Sequence, residues 1–239
     1  MSKEKQFWID NFEKGYYDKV IQEGLAKKKG LQSNWHNCTY LKVKEKISSD
    51  SSHLDFACGS GTFIGRYLYS SSLGVDISEI QIEYAKETFS GENKFYTVNE
   101  FENMDHERFD VASILGLIEF LTEEEIKSLL KKIKNLMKNN GKIILTTPNF
   151  SLFFRTIQTI SKLLGIKDYS DVTISKFNAR KLKKLLEEAD LSEIRVKKIV
   201  NIGIFSSFFS HKLGLVFENL IGVLFNNFFG FILIAEAKK

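Results

Sequence analysis

The sequence has little of what staples or interrupts a chain. Its 239 residues include one proline, Pro148, and two cysteines, Cys38 and Cys58. Two cysteines cannot make a disulfide framework and their spacing matches no zinc pattern, so a reducing compartment is expected and no metal site. Long apolar runs are missing too. The longest charge-free stretch in the phenylalanine-rich tail, Asn219 to Ala235, has 17 residues and is broken by asparagines and glycines. A spanning helix needs roughly 20 apolar residues. Met1 to Gln6 leads into an amphipathic segment with acidic residues rather than an apolar signal-peptide core, which makes a cytoplasmic protein the expectation. Nor is there an excess of one charge: 34 Lys and Arg against 30 Asp and Glu leave a net charge of +4. The surplus falls in helix-like runs such as Lys131 to Lys134 that read as solvated faces, and with no separate basic domain a nucleic-acid partner is not expected.

What is present is an ordinary globular composition, 43% apolar and 27% charged, in a chain long enough for one substantial α/β domain and short for two. Residues 1–239 are read as a single domain: an N-terminal helical cap over 1–50, a core over 51–150, and a remainder over 151–239. Phe7, Trp8, Phe12, Tyr16, Tyr17 and Val20, at mostly three- and four-residue intervals, mark the cap. In the core, His53 to Cys58 is a short apolar strand stopped by Gly-Ser-Gly, with a helix from Thr62 to about Tyr69. Ser72 to Asp76 is a second strand, and Ser78 with Gln81 makes a capping box for a helix through Lys86. Lys94 to Val98 and Phe109 to Leu115 follow as strands. A helix capped by Thr122 should then stop at Asn139-Asn140-Gly141, before a fifth strand from Lys142 to Thr147 closed by Pro148. Beyond it lie an apolar helical insertion over 150–170, a helix after Asn178 to Asp190, a strand from Glu193 to Ile199, helical segments, and a last strand from Phe231 to Ala235. Strands alternating with helices at this spacing predict a doubly wound α/β fold with a mostly parallel sheet.

In such a sheet ligands sit at the carboxyl ends of the strands, where the strand order switches, and the glycine loop after the first strand is the usual cradle. Gly59 and Gly61 permit a tight turn and close backbone approach, and the helix from Thr62 presents free N–H groups. That much would suit any nucleotide. Asp55, at the strand end, favours a cationic ligand portion and repels a pyrophosphate. Asp76, 21 residues later at the end of the second strand, is placed to accept from two ribose hydroxyls.

The run Leu54-Asp55-Phe56-Ala57-Cys58-Gly59-Ser60-Gly61 resembles the first motif of class I S-adenosylmethionine-dependent methyltransferases. Gly74 to Ser78 resembles their ribose motif, Phe109-Asp110-Val111 through Ile118-Glu119-Phe120 their fourth-strand motif, and Leu136 to Leu145 with Thr147-Pro148-Asn149 their fifth-strand motif. The resemblance implies a seven-stranded Rossmann-like sheet, S-adenosylmethionine as methyl donor and S-adenosylhomocysteine as product. It also implies that Asp55, Phe56, Ala57, Gly59 and Gly61 line the amino-acid end of the donor, that Asp76 holds the ribose and that Ile77 flanks the adenine. One of Asn99, Glu100 and Phe101 would meet the adenine ring or amine, and Leu115 with Gly116 would approach the methionine portion. Two positions depart from the pattern: Ala57 stands where the family has a glycine, and Phe120 where relatives often carry histidine.

No catalytic base is identifiable from the sequence. Glu119 reads as a helix-start or supporting residue, and His53 and His106 as structural or exposed, whereas His36, Tyr16 and Tyr17 in the cap are candidates for a functional role. The regions outside the motifs are apolar and aromatic. The expected acceptor is therefore a small molecule, either with a hydrophobic part (a quinone precursor, lipid or prenyl-linked compound) or a sugar, methylated on oxygen, nitrogen or carbon. Peripheral membrane contact through the phenylalanine-rich tail is a further expectation. A NAD-dependent oxidoreductase would share the strand, loop and acid, but Gly65 comes one residue late for its third glycine. A non-catalytic donor-binding relative is the third reading.

Overall fold

The computed structural model describes residues 12–68, 71–89, 91–105, 107–151 and 172–239. Helices α1 (Tyr16–Lys27) and α2 (Leu31–Lys44) come first. They are followed by β1 (His53–Phe56), α3 (Thr62–Tyr67), β2 (Ser72–Asp76), α4 (Glu79–Phe89), β3 (Lys94–Thr97), α5 (Val98–Glu102) and β4 (Phe109–Leu115). A 3-10 turn (Ile118–Phe120), α6 (Glu123–Leu136) and β5 (Met137–Pro148) continue the alternation. The rest comprises α7 (Ala179–Glu188), β6 (Ser192–Ile199), a 3-10 segment (Ile202–Phe208), α8 (His211–Leu224) and β7 (Ile232–Lys238).

The seven strands form one sheet in the order β3-β2-β1-β4-β5-β7-β6. β7 runs antiparallel to both neighbours, and the other pairings are parallel. Side chains alternate between the faces with the two-residue period of a strand. Ile143 and Leu145 of β5 join a core with Ile126, Leu130 and Ile133 of α6 and Leu182, Leu185 and Leu186 of α7. Ile144 between them packs on the other side with Val43 of α2 and Phe63 of α3. Burial on both faces explains why these strands read as continuous apolar runs. α6 starts where its cap dictates: Thr122 Oγ1 accepts from Glu125 N over 3.2 Å, and Glu125 Oε2 accepts from Thr122 N over 2.9 Å.

Two local expectations are corrected. Ser78 and Gln81 do not form a capping box. Ser78 Oγ is buried without a hydrogen-bond partner, while Gln81 accepts from Gly15 N over 3.1 Å and donates to Glu13 O over 2.9 Å. Docking of the cap uses the side chain that local pairing would have claimed. α6 ends at Leu136 rather than near Gly141, because Met137 is fully buried and turns extended to pair with Phe109. Asn140, at φ 62°, becomes a left-handed residue inside β5. The described part of the cap is two helices, separated where Lys28 and Gly30 take φ of 52° and 134°. Phe7, Trp8, His106 and the insertion over 152–171 lie outside the described residues. Among the described residues no helix is long and apolar enough to cross a membrane.

Candidate functional site

β1 lies between β2 and β4, so the strand order reverses there and a crevice opens at the carboxyl ends of these strands. The loop leaving β1 is pinned to β2 by Ala57 N and Cys58 N, which donate to Val75 O over 2.8 and 3.0 Å. Ala57, Gly59 and Gly61 have φ of 66°, 53° and 73°. The two glycines serve different ends. A Cβ at Gly59 would meet only Tyr17, at 3.9 Å, which leaves the backbone open to a ligand. At Gly61 it would stand 2.6 Å from Phe95 and 2.9 Å from Ala85, so Gly61 is required for packing helix against sheet rather than for ligand approach.

Asp76 closes the loop from the other side. Its Oδ2 accepts from Gly59 N over 2.8 Å and its Oδ1 from Ser78 N over 2.9 Å. A carboxylate has about four acceptor sites on its two oxygens. Desolvation pushes its pKa up, and the backbone N–H bonds oppose the shift.

Asp55 and Ser113 are register partners on β1 and β4 and share a sheet face. Ser113 Oγ donates a short hydrogen bond to Asp55. Ser113 Oγ also lies 2.9 Å from His53 Nε2, and His53 Nδ1 lies 3.0 Å from Ser72 Oγ. If Ser113 gives its proton to Asp55, Nε2 must be the donor to Ser113, leaving Nδ1 to accept from Ser72. Burial holds His53 neutral, with its pKa down to about 3. Burial also raises the Asp55 carboxyl to about 7, with the Asp76 charge adding to the rise and Ser113 opposing it.

The cap covers this crevice with aromatic rings. Tyr17 meets His36 edge-on at 5.3 Å, and Tyr40, one turn along α2, lies 6.1 Å from His36 and 5.3 Å from Phe63. Loss of hydration lowers His36 to about 4 and raises Tyr40, whose pKa the Asp55 charge lifts further. An ion pair holds the cap in place. Fully buried Asp18 accepts from Arg66 Nε and Nη2 of α3 over 2.5 and 2.7 Å, and from Tyr84 Oη of α4 over 2.8 Å. Sequence reasoning missed Ser113, Tyr40 and the Asp18–Arg66 pair. Only Tyr40 had a local signal, its four-residue spacing from His36.

The other expected residues are dispersed by role. Ile77 is 38% exposed beside Asp76, and Asn99 is exposed on α5. Glu100 accepts from Thr97 N over 2.7 Å and pairs with Lys86 at 3.2 Å. Phe101 is 1% exposed within the core. The Phe56 ring packs against the same core, leaving its backbone to the loop. Leu115 is half-buried at the end of β4, followed by Gly116 at φ 64°. Glu119 is 4% exposed, with the Thr147 hydroxyl facing its carboxyl. Burial raises this carboxyl to about 7. Among the described residues no cluster of histidine, cysteine or acidic side chains could hold a metal.

Residues 54–143 match a family model described as a methyltransferase domain. That stretch runs from β1 into β5 and so contains both the loop after β1 and Asp76. The methyltransferase fold extends over nearly the whole chain. A methyltransferase from Archaeoglobus fulgidus aligns over 87% of this chain and 95% of its own, with a TM-score of 0.61 at 20% identity. The plantazolicin methyltransferase, solved with a desmethyl analogue and S-adenosylhomocysteine, aligns over 98% and 94%, with 0.58 at 18%. The magnesium protoporphyrin IX methyltransferase of Synechocystis, solved with S-adenosylhomocysteine, aligns over 99% and 93%, with 0.54 at 14%. No curated protein matches this chain in sequence. The open backbone at Gly59 and the buried Asp55 carboxyl fit a donor that brings a positive charge and no phosphate.

Proposed function

We propose that the donor lies across the carboxyl ends of β1 and β2 and that the acceptor is a small molecule with an apolar or aromatic part, entering under the cap. The observation that carries the donor reading is the bond from Gly59 N to Asp76, which sets an open glycine backbone beside an acid with free lone pairs. Asp55 takes the amino-acid end, where an ammonium would draw its carboxyl back to the charged form. Asp76 accepts from the ribose hydroxyls through its remaining lone pairs, Ile77 flanks the adenine, and Asn99 is the polar group on α5 free to meet its edge. When bound, the donor supplies a methyl on a sulfonium, a good leaving centre.

The chain's own contribution is then mostly alignment and exclusion of water, with no strong dedicated base required. Tyr17, His36 and Tyr40 offer ring faces and a neutral imidazole to the acceptor. The structural neighbours that act on a porphyrin and on plantazolicin are consistent with a ring-rich acceptor. A radiolabelled-methyl transfer assay across porphyrin, quinol, prenyl-phenol and sugar acceptors tests this. Turnover confined to the ring-bearing compounds is expected, and turnover confined to sugars would overturn the acceptor reading.

A further inference from the structure

Helix α8 is inside out. Its buried side is His211, Gly214, Glu218 and Gly222, and polar groups meet it. Ser33 Oγ lies 2.8 Å from His211 Nε2, Asn34 Nδ2 donates to His211 O over 3.1 Å, and Asn201 Nδ2 donates to Glu218 O over 2.6 Å. The outward side is Leu213, Val216, Phe217, Leu220, Val223 and Leu224, a stripe at helical spacing whose members are 42% to 83% exposed. Phe209, 83% exposed, and Phe228, 68% exposed, extend it at either end. A helix on a water-facing surface carries the reverse arrangement, and a continuous apolar patch of this kind marks an interaction surface.

Charge indicates what it meets. From Asn201 to Ala235 the charged residues are Lys212 and Glu218, and Glu218 is buried, so the exposed stripe carries no anion. At its start His211 N donates to Lys28 O over 2.8 Å, which brings exposed Lys28 and Lys29 beside Lys212. At its end Lys198 Nζ sits 4.9 Å over the Phe228 ring. Lys197, Lys198 and Val223 share the wall of a cavity of about 370 Å³ with Lys42 and Lys46. Glu45 pairs with Lys42 at 3.7 Å, Glu236 pairs with Lys46 at 2.5 Å and Glu218 is buried, which leaves Lys197 and Lys198 to set the charge of that wall. Both ends of the stripe are cationic, so two copies paired along α8 in either direction would bring lysines against lysines.

We propose that α8 and its flanking phenylalanines dock on an anionic lipid surface, with the apolar stripe entering the interface and the lysines meeting the headgroups. The proposal stands independently of the donor assignments. The test is co-sedimentation of the full chain with vesicles of phosphatidylcholine alone or with 30% phosphatidylserine. Binding to the anionic vesicles is expected, at least fivefold weaker without phosphatidylserine and weakened by salt. The double variant L220D/V223D should bind at least tenfold more weakly, and F209S/F228S, which lies outside the helix, at least threefold more weakly, each with an unchanged melting profile. Wild-type protein that stays in the supernatant at both compositions would overturn the proposal, as would folded variants that bind like wild type. A concentration-dependent dimer abolished by L220D/V223D, without vesicle binding, would assign the face to a second copy instead.

Discussion

Gly59 N–H donates to Asp76 Oδ2 over 2.8 Å, so the loop after β1 and the acid at the end of β2 form one unit. Ser78 N bonds the other carboxylate oxygen, and a single side chain thereby organises both the cradle and the start of α4. Asp76→Asn keeps one acceptor oxygen but turns an NH2 toward a backbone N–H. It should cost about 1–2 kcal/mol of stability and weaken donor binding, read by chemical denaturation and calorimetry. A variant as stable as wild type would contradict this linkage.

Ala57 sits at φ 66°, where an L-residue with a Cβ is strained by roughly 1–2 kcal/mol. Replacing it with glycine removes that strain but returns about 0.4–1 kcal/mol of chain entropy to the unfolded state. The first effect is the larger, so Ala57→Gly should stabilise the protein by roughly 0.5–1 kcal/mol. A lower melting temperature would show that the loop is not strained there.

The cap depends on Asp18. Its partner Arg66 is a third exposed, which softens the cost of leaving that charge unpaired, while Asp18 itself is fully buried. Asp18→Ala should destabilise by about 2–3 kcal/mol, and proteolysis should then cut first between α1 and α2. Unchanged stability would mean that the aromatic contacts alone hold the cap.

Asp55 and Glu119 both have carboxyls raised to about 7 in the folded chain, against roughly 4 when unfolded. The folded state therefore binds more protons between these values. The stability these groups contribute is full below pH 4 and is lost as pH rises through 7. Melting of the unliganded protein should fall from pH 5 to pH 8, and Asp55→Asn with Glu119→Gln should flatten that slope. Donor binding should strengthen over the same interval as Asp55 ionises. A melting temperature that rises toward pH 8 would contradict the assignment.

Much of the architecture was legible because it is locally encoded. Ser72–Asp76 and Phe109–Leu115 are strands at the residues expected, and the Thr122–Glu125 box opens α6. What escaped was set by distant partners. Gln81 left the expected capping box to bond Gly15 and Glu13, 66 and 68 residues away. Met137 left the helical pattern to pair with Phe109. In the candidate site, the grouping of Asp55, Gly59 and Asp76 at the ends of β1 and β2 was legible from spacing. Ser113 was hidden because only the β1–β4 register sets it against Asp55, and α8 because its polarity is inverted.

The most direct test is calorimetric titration of the wild-type chain and of Asp76→Ala with S-adenosylhomocysteine and with NAD at pH 7.5. The account predicts one S-adenosylhomocysteine site in the wild-type protein, at least tenfold weaker affinity in the variant, and no heat with NAD. Equal affinity in the two proteins, or binding of NAD in place of S-adenosylhomocysteine, would contradict it.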